Sequence, residues 1–250
     1  MVPMRTALLL LMLLLAGCTS APIEEKAWPD VLPFSSNVAG TSVPRGWQPW
    51  IISRAKNPTV YQLVKDRDTD GVVLRAAAER SASGLKQRLD VDPNARPIVV
   101  WRWRVMDLIT AADNQDRYAE DSPARLMLFF EGDTAALPLK EQMLMETARL
   151  LTGQDLPFAT LMYVWENRFP PETVLRSHFT DQVKMIVAGT GQDRLGTWKT
   201  FQRNYVDDYR RVFGHAPGRL IGIGVMTDTD NTGETVEAFY GDVALRPVAR

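Results

Sequence analysis

Residues 97–105 read Pro-Ile-Val-Val-Trp-Arg-Trp-Arg-Val. β-branched and aromatic side chains fill the run, and a proline opens it, which is the composition of a strand. Successive side chains of a strand point to opposite faces, so Val99, Trp101, Trp103 and Val105 share one face while Val100, Arg102, Arg104 and Met106 share the other. One face is therefore apolar and aromatic and the other basic. Two arrangements follow. Either the tryptophans are core and the arginines lie over the solvent face, or Trp101 and Trp103 form a platform for the apolar face of a sugar ring, with Arg102 and Arg104 gripping its hydroxyls or an acidic glycan. Buried aromatics dominate sandwich cores, which favours the first.

Outward from this strand the same signal recurs. Short runs rich in Val, Ile, Trp, Tyr and Phe, bounded by Gly, Pro, Asn and Asp, occupy 46–52, 59–65, 71–78, 125–131, 160–165, 182–188, 219–227 and 235–245. Many strands at such short spacing predict a mainly β fold, an antiparallel β-sandwich of jelly-roll type. Two segments carry helical periodicity instead. Residues 139–151 place Met143, Leu144, Thr147, Leu150 and Leu151 at helical spacing. Residues 205–213 follow Asn204 as N-cap, with Asp207 and Asp208 early, Arg210 and Arg211 late, and Gly214 at the stop.

The start of the chain is of a different kind. Arg5 precedes the apolar run Ala7 to Leu15, and Ala16, Gly17 and Cys18 follow. A basic start, an apolar stretch of roughly 7 to 15 residues and small residues before a cut mark a secretory signal, and the run is shorter than the about 20 residues a spanning helix needs. Leu15-Ala16-Gly17-Cys18 resembles the bacterial lipobox, whose cysteine is acylated and becomes the first residue of the mature chain. Residues 1–17 are thus expected to be a signal peptide, Cys18 the lipidated residue, 18–29 a tether and 30–250 one domain. Cys18 is the only cysteine, so disulfides are not expected to hold the fold. Thr19, rather than an aspartate, follows Cys18. The expected place is the outer membrane, facing the periplasm.

Several stretches resemble one family of exported bacterial proteins, the domain of unknown function numbered 3047 in that series. They are Trp101-Arg102-Trp103-Arg104-Val105, the 121–131 segment, Tyr163-Val164-Trp165, Arg203-Asn204 with Asp207-Asp208-Tyr209 and Phe213-Gly214, the run Met226 to Gly233, and Tyr240-Gly241-Asp242. The resemblance implies a domain boundary and no reaction. The final stretch is also similar, more weakly, to the last strand of jelly-roll carbohydrate-binding modules, in which an aspartate often helps to hold calcium.

Chemistry-bearing residues are sparse. Asp228, Asp230 and Asn231, with Asp242 as a further ligand, offer oxygens of the kind a hard cation such as calcium takes. The position where an EF-hand needs a bidentate glutamate is Phe239, so that reading fails and a polar turn, with Gly233 at positive φ, is the competing account. There are two histidines, no Gly-x-Ser-x-Gly elbow and no free cysteine, which argues against zinc, thiol and serine-nucleophile chemistry. Lys and Arg total 29 against 30 Asp and Glu, a net charge of −1, with no basic stripe for nucleic acid. The functional expectation is a non-catalytic envelope protein that binds a glycan or another envelope component. Its rivals are an enzyme using carboxylates such as Asp121 and Asp228 on envelope polysaccharide, and a scaffold lipoprotein without a small ligand.

Overall fold

A computed structural model describes residues 26–248 except 70, 154 and 193, so Cys18 and the signal peptide lie outside the described residues. Among the described residues thirteen strands run in chain order. They are β1 (Gln48–Ile51), β2 (Val60–Lys65), β3 (Val72–Glu79), β4 (Ala82–Val91), β5 (Ile98–Val105), β6 (Ser122–Phe130), β7 (Ala159–Glu166), β8 (Val174–Arg176), β9 (Val183–Thr190), β10 (Lys199–Asn204), β11 (Leu220–Asp228), β12 (Thr235–Tyr240) and β13 (Ala244–Arg246). Helix α1 (Leu139–Thr152) joins β6 to β7, and α2 (Tyr205–Phe213) joins β10 to β11. The larger sheet has the order β1-β4-β11-β6-β7-β9-β8, and the smaller β10-β5-β12-β3-β2, with β13 also paired to β5. The fold is a β-sandwich with two inserted helices. All pairs are antiparallel but one, since β7 and β9 run parallel with the short β8 between them in sequence.

The sheets face each other through alternate residues. Leu126, Leu128 and Phe130 of β6 and Leu161, Tyr163 and Trp165 of β7 meet Val99, Trp101, Trp103 and Val105 of β5 in one core. Trp101 stacks on Tyr163 and on Phe201 with ring centroids 4.8 and 5.0 Å apart, and Trp103 packs edge-on against Trp101 at 5.6 Å. The aromatic face of residues 97–105 is therefore interior, and Trp101 and Trp103 offer no surface platform. Sealing two sheets about 10 Å apart takes wide side chains, and these rings supply the width.

The larger sheet is covered on its other face as well. Every residue of β6 is buried, and Met127, Phe129 and Met226 form a second cluster on that side with Trp50 and Met162 packed against it. Glycines make room there. A Cβ on Gly84 would lie 3.2 Å from the Trp50 ring, and one on Gly224 would lie 2.9 Å from Met127 and 3.2 Å from Phe129. The Gly222-Ile223-Gly224 run thus serves close packing of aromatic rings over a sheet.

α2 begins as its sequence dictates. The Asn204 side chain accepts hydrogen bonds from the backbone N–H groups of Val206 and Asp207, and Gly214 ends the helix at φ 82°. Asp208 fixes the helix to the body, accepting from Tyr163 Oη at 2.7 Å and from Arg203 Nη2 at 2.7 Å. α1 lacks a side-chain N-cap and ends on Gly153 in the left-handed region.

Candidate functional site

The outer face of the larger sheet carries a groove of about 240 Å³ at the end where β11 finishes. Asp228, the last residue of β11, stands opposite Ala82 of β4 on one side and Ser122 of β6 on the other. Its side chain is met by Arg125 from β6, whose Nε and Nη2 donate to Oδ1 and Oδ2 at 2.8 and 3.0 Å. Both side chains are buried. Burial pushes the Asp228 carboxyl up to about 6, while the charge and hydrogen bonds of Arg125 pull it down. Burial also works against the charge of Arg125, but the Asp228 carboxylate outweighs it and raises the guanidinium pKa. The pair is a fork-on-fork contact in a dry setting, the geometry in which arginine and carboxylate bind best.

Two more acids come within reach. One carboxylate oxygen each of Asp121, Asp228 and Asp230 lie within 4.8 Å of one another. Asp121 is buried and accepts from the Thr232 backbone N–H and Oγ1, both at 2.7 Å, and from the Asn231 N–H at 3.3 Å. Asp230 is ion-paired to Lys56. Glu120 lies beside Arg125, and its buried Oε2 has no hydrogen-bond partner among the described residues. Trp50 and the half-exposed Phe179 provide aromatic wall, with the Arg117 guanidinium 5.4 Å from the Phe179 ring centre.

The sequence-derived candidates are thus redistributed. Asp228, Asp230 and Asn231 do come together, and Asp121 joins them. Asp242 does not. Its carboxylate accepts from the backbone N–H and hydroxyl of Ser35, tying the loop before β1 to the break between β12 and β13. The calcium set of Asp228, Asp230, Asn231 and Asp242 is therefore corrected to a cluster with Asp121 in place of Asp242. In that cluster Arg125 and Lys56 already supply positive charge, and Asp121 spends its oxygens on the turn that Gly233 closes at φ 73°. Arg102 and Arg104 lie on the outer face of the smaller sheet, away from Trp101 and Trp103. Arg104 is buried between the Trp198 and Phe239 rings and paired with Asp66 and Asp68. Arg102 rests over Trp198 at 4.5 Å.

Residues 45–244 match the family described as Protein of unknown function (DUF3047). The chain belongs to this family. Every residue named in the groove, from Trp50 to Asn231, lies inside the DUF3047 region. Curated proteins yield no match.

Among solved structures, an arabinose-bound GH51 α-L-arabinofuranosidase is similar at 10% identity, covering 91% of this chain and 28% of that one, with a TM-score of 0.43. Endoglucanase 3 of family GH12 from Trichoderma harzianum is similar at 8% identity, covering 83% of this chain and 93% of that one, with a TM-score of 0.41. The protein SGBP-B, from a complex xyloglucan utilization locus in Bacteroides uniformis, follows at 11% identity, 88% and 49% coverage and a TM-score of 0.33. No functional residue is carried over from any of them.

What sequence reasoning missed was Arg125 as a groove residue. Arg125 had a signal: a single arginine in a run that is otherwise Leu, Met and Phe is costly unless a carboxylate meets it.

Proposed function

We propose that this DUF3047 protein is a lipid-anchored envelope component that binds a glycan or similar polyhydroxylated ligand, without cleaving it, in the groove at the Asp228 end of the larger sheet. The observation that carries the reading is the accessible Trp50 ring beside a fringe of charged and amide groups, Lys56, Glu120, Asp230 and Asn231. Sugar rings ask for that pairing, an aromatic surface for their C–H face and polar groups for their hydroxyls. Trp47 and Trp165, by contrast, are buried. Binding is favoured over catalysis because Asp228 has both oxygens on Arg125 and Asp121 has both on the 231–232 turn, which leaves neither placed to trade protons with a substrate.

Trp50→Ala is expected to weaken glycan binding by about 2 kcal/mol, roughly thirtyfold, as for an aromatic anchor. The ring is only half-buried, so the melting temperature should fall by no more than a few degrees. Affinity electrophoresis over envelope polysaccharides, with a parallel thermal melt, separates the two effects. Wild-type protein that binds no polysaccharide would sink the reading, and soluble sugar released from any of them would replace it by the enzymatic one.

The anchor is tested separately. Cys18→Ala is expected to move the protein from the membrane pellet to the soluble fraction and to leave the precursor uncut. Membrane retention and mature mass unchanged in that variant would contradict lipidation.

A further inference from the structure

α1 is amphipathic, but it turns its apolar stripe outward. Glu141, Leu144, Met145 and Ala148 face the body, while Leu139, Met143 and Leu150 share the opposite side at helical spacing and are 71%, 62% and 75% exposed. Leu151, at 75%, widens the stripe. Lys140, Glu141, Glu146 and Arg149 balance in charge, so nothing electrostatic accounts for the exposure. Such a stripe is held in water only at a cost, and it marks a contact surface.

The position of the helix says which contact. Val91 pairs with Leu220, Leu220 with Phe130, and Phe130 with Ala159, so the ends of β4, β11, β6 and β7 form one rim of the larger sheet. α1 sits on this rim, between Phe130 and Ala159. The first described residues join the sheet near the same rim, where the Trp28 N–H donates to Arg88 O and its carbonyl accepts from the Asp90 N–H. Lys26 is eight positions beyond Cys18. Those eight steps, fully extended, span at most roughly 26 to 29 Å, so a lipid on Cys18 would keep this rim close to the bilayer.

We propose that α1 lies on the lipid surface, with Leu139, Met143, Leu150 and Leu151 entering the headgroup region and the Asp228 end of the groove pointing away from the membrane. No helix among the described residues is long and apolar enough to cross a membrane, and a helix of this kind lies in the interface. The Asp228 end of the groove is at the opposite rim, while its Ser177, Phe179 and Val183 lining reaches back toward the rim that carries α1. β11 runs from Leu220 to Asp228, roughly 27 Å at the rise of a strand. The tether and the helix then fix one orientation.

The proposal rests on acylation of Cys18, and the test keeps the two apart. In the acylated protein the sulfur of the only cysteine is a thioether, so Leu150→Cys provides one thiol for an environment-sensitive dye. A second dye on Cys18 would report that acylation had failed. The protein is placed in phosphatidylethanolamine–phosphatidylglycerol vesicles carrying a spin-labelled lipid, and Tyr118→Cys, on an exposed loop at the groove end, is the reference. Dye at 150 is expected to shift to the blue and to be quenched at least threefold more than dye at 118. Equal quenching in acylated protein would overturn the proposal. So would a blue shift without vesicles accompanied by a dimer in sedimentation, which would assign the stripe to a second copy. If Cys18 is not acylated, Cys18→Ala/Leu150→Cys is titrated with the same vesicles. Quenching then supports the helix contact by itself, and its absence overturns it.

Discussion

Trp103→Ala is expected to destabilise the protein by about 3 to 5 kcal/mol, the range for removing a large aromatic side chain from a core that cannot collapse around the gap. Trp103 has no exposed surface and packs on Trp101 and Phe201. Whole domains hold only about 5 to 15 kcal/mol, so the variant should melt far earlier or accumulate as insoluble protein. Chemical denaturation of both proteins, with the glycan assay run on whatever remains folded, checks it. A variant that keeps its stability and loses only binding would return Trp103 to the ligand platform.

The second large effect is electrostatic. Arg125→Met leaves Asp228 as a buried carboxylate without its cation, which costs about 3 to 5 kcal/mol at neutral pH. The loss should depend on pH in a defined sense. The folded-state pKa of Asp228 lies above its ordinary value even with Arg125 in place, and without Arg125 it rises further. A carboxyl whose folded pKa is raised contributes most below its unfolded pKa, and that contribution is lost as pH rises through the folded pKa. The deficit of Arg125→Met should thus be greatest at alkaline pH and shrink as pH falls through the variant's folded pKa, which lies above the wild-type value of about 6, where the abandoned group takes up a proton. Denaturant melts at pH 5 and pH 8 measure it. The double change Arg125→Met/Asp228→Leu should recover most of the stability at both, because neither charge is then buried. A pH-independent deficit would mean that lost packing, not the stranded charge, sets the cost.

The strands that could be read from the sequence were those whose side chains face a core. β6, β7 and β11 are dense in apolar residues because both of their faces are buried, and β5 carries its aromatics on the one face that meets the core. β4 escaped notice. It reads Ala-Ser-Gly-Leu-Lys-Gln-Arg-Leu-Asp-Val, and only Leu85, Leu89 and Val91 speak for a strand. Its other face needs Gly84 under Trp50, a neighbour 34 positions earlier in the chain, so its composition could not be inferred locally. β10 is polar for a different reason, being the edge of the smaller sheet. The run 235–245, read as one strand, breaks at Gly241, where a Cβ would strike the Arg102 side chain and where β13 takes over the pairing with β5.

The site was half legible. The crowding of Asp228, Asp230 and Asn231 is local in sequence, and the structure keeps it. Asp121 and Arg125 reach the cluster through the pairing of β6 with β11, and no spacing rule announces a partner 103 residues away. Asp242 was assigned by closeness in sequence, yet the chain turns at Gly241 and sends it to Ser35.

The place of β11 in the larger sheet bears on how the chain comes to be folded at all. It separates β4 from β6, and the Thr59 hydroxyl finds its acceptor on Thr227, 168 residues later. Until residues 220–228 arrive, β4 and β6 each present an open edge and the core has no middle. Contacts of such long range make closure slow. A chain of this design keeps open edges until almost its last strand has been made, and that interval is its period of greatest risk of aggregation.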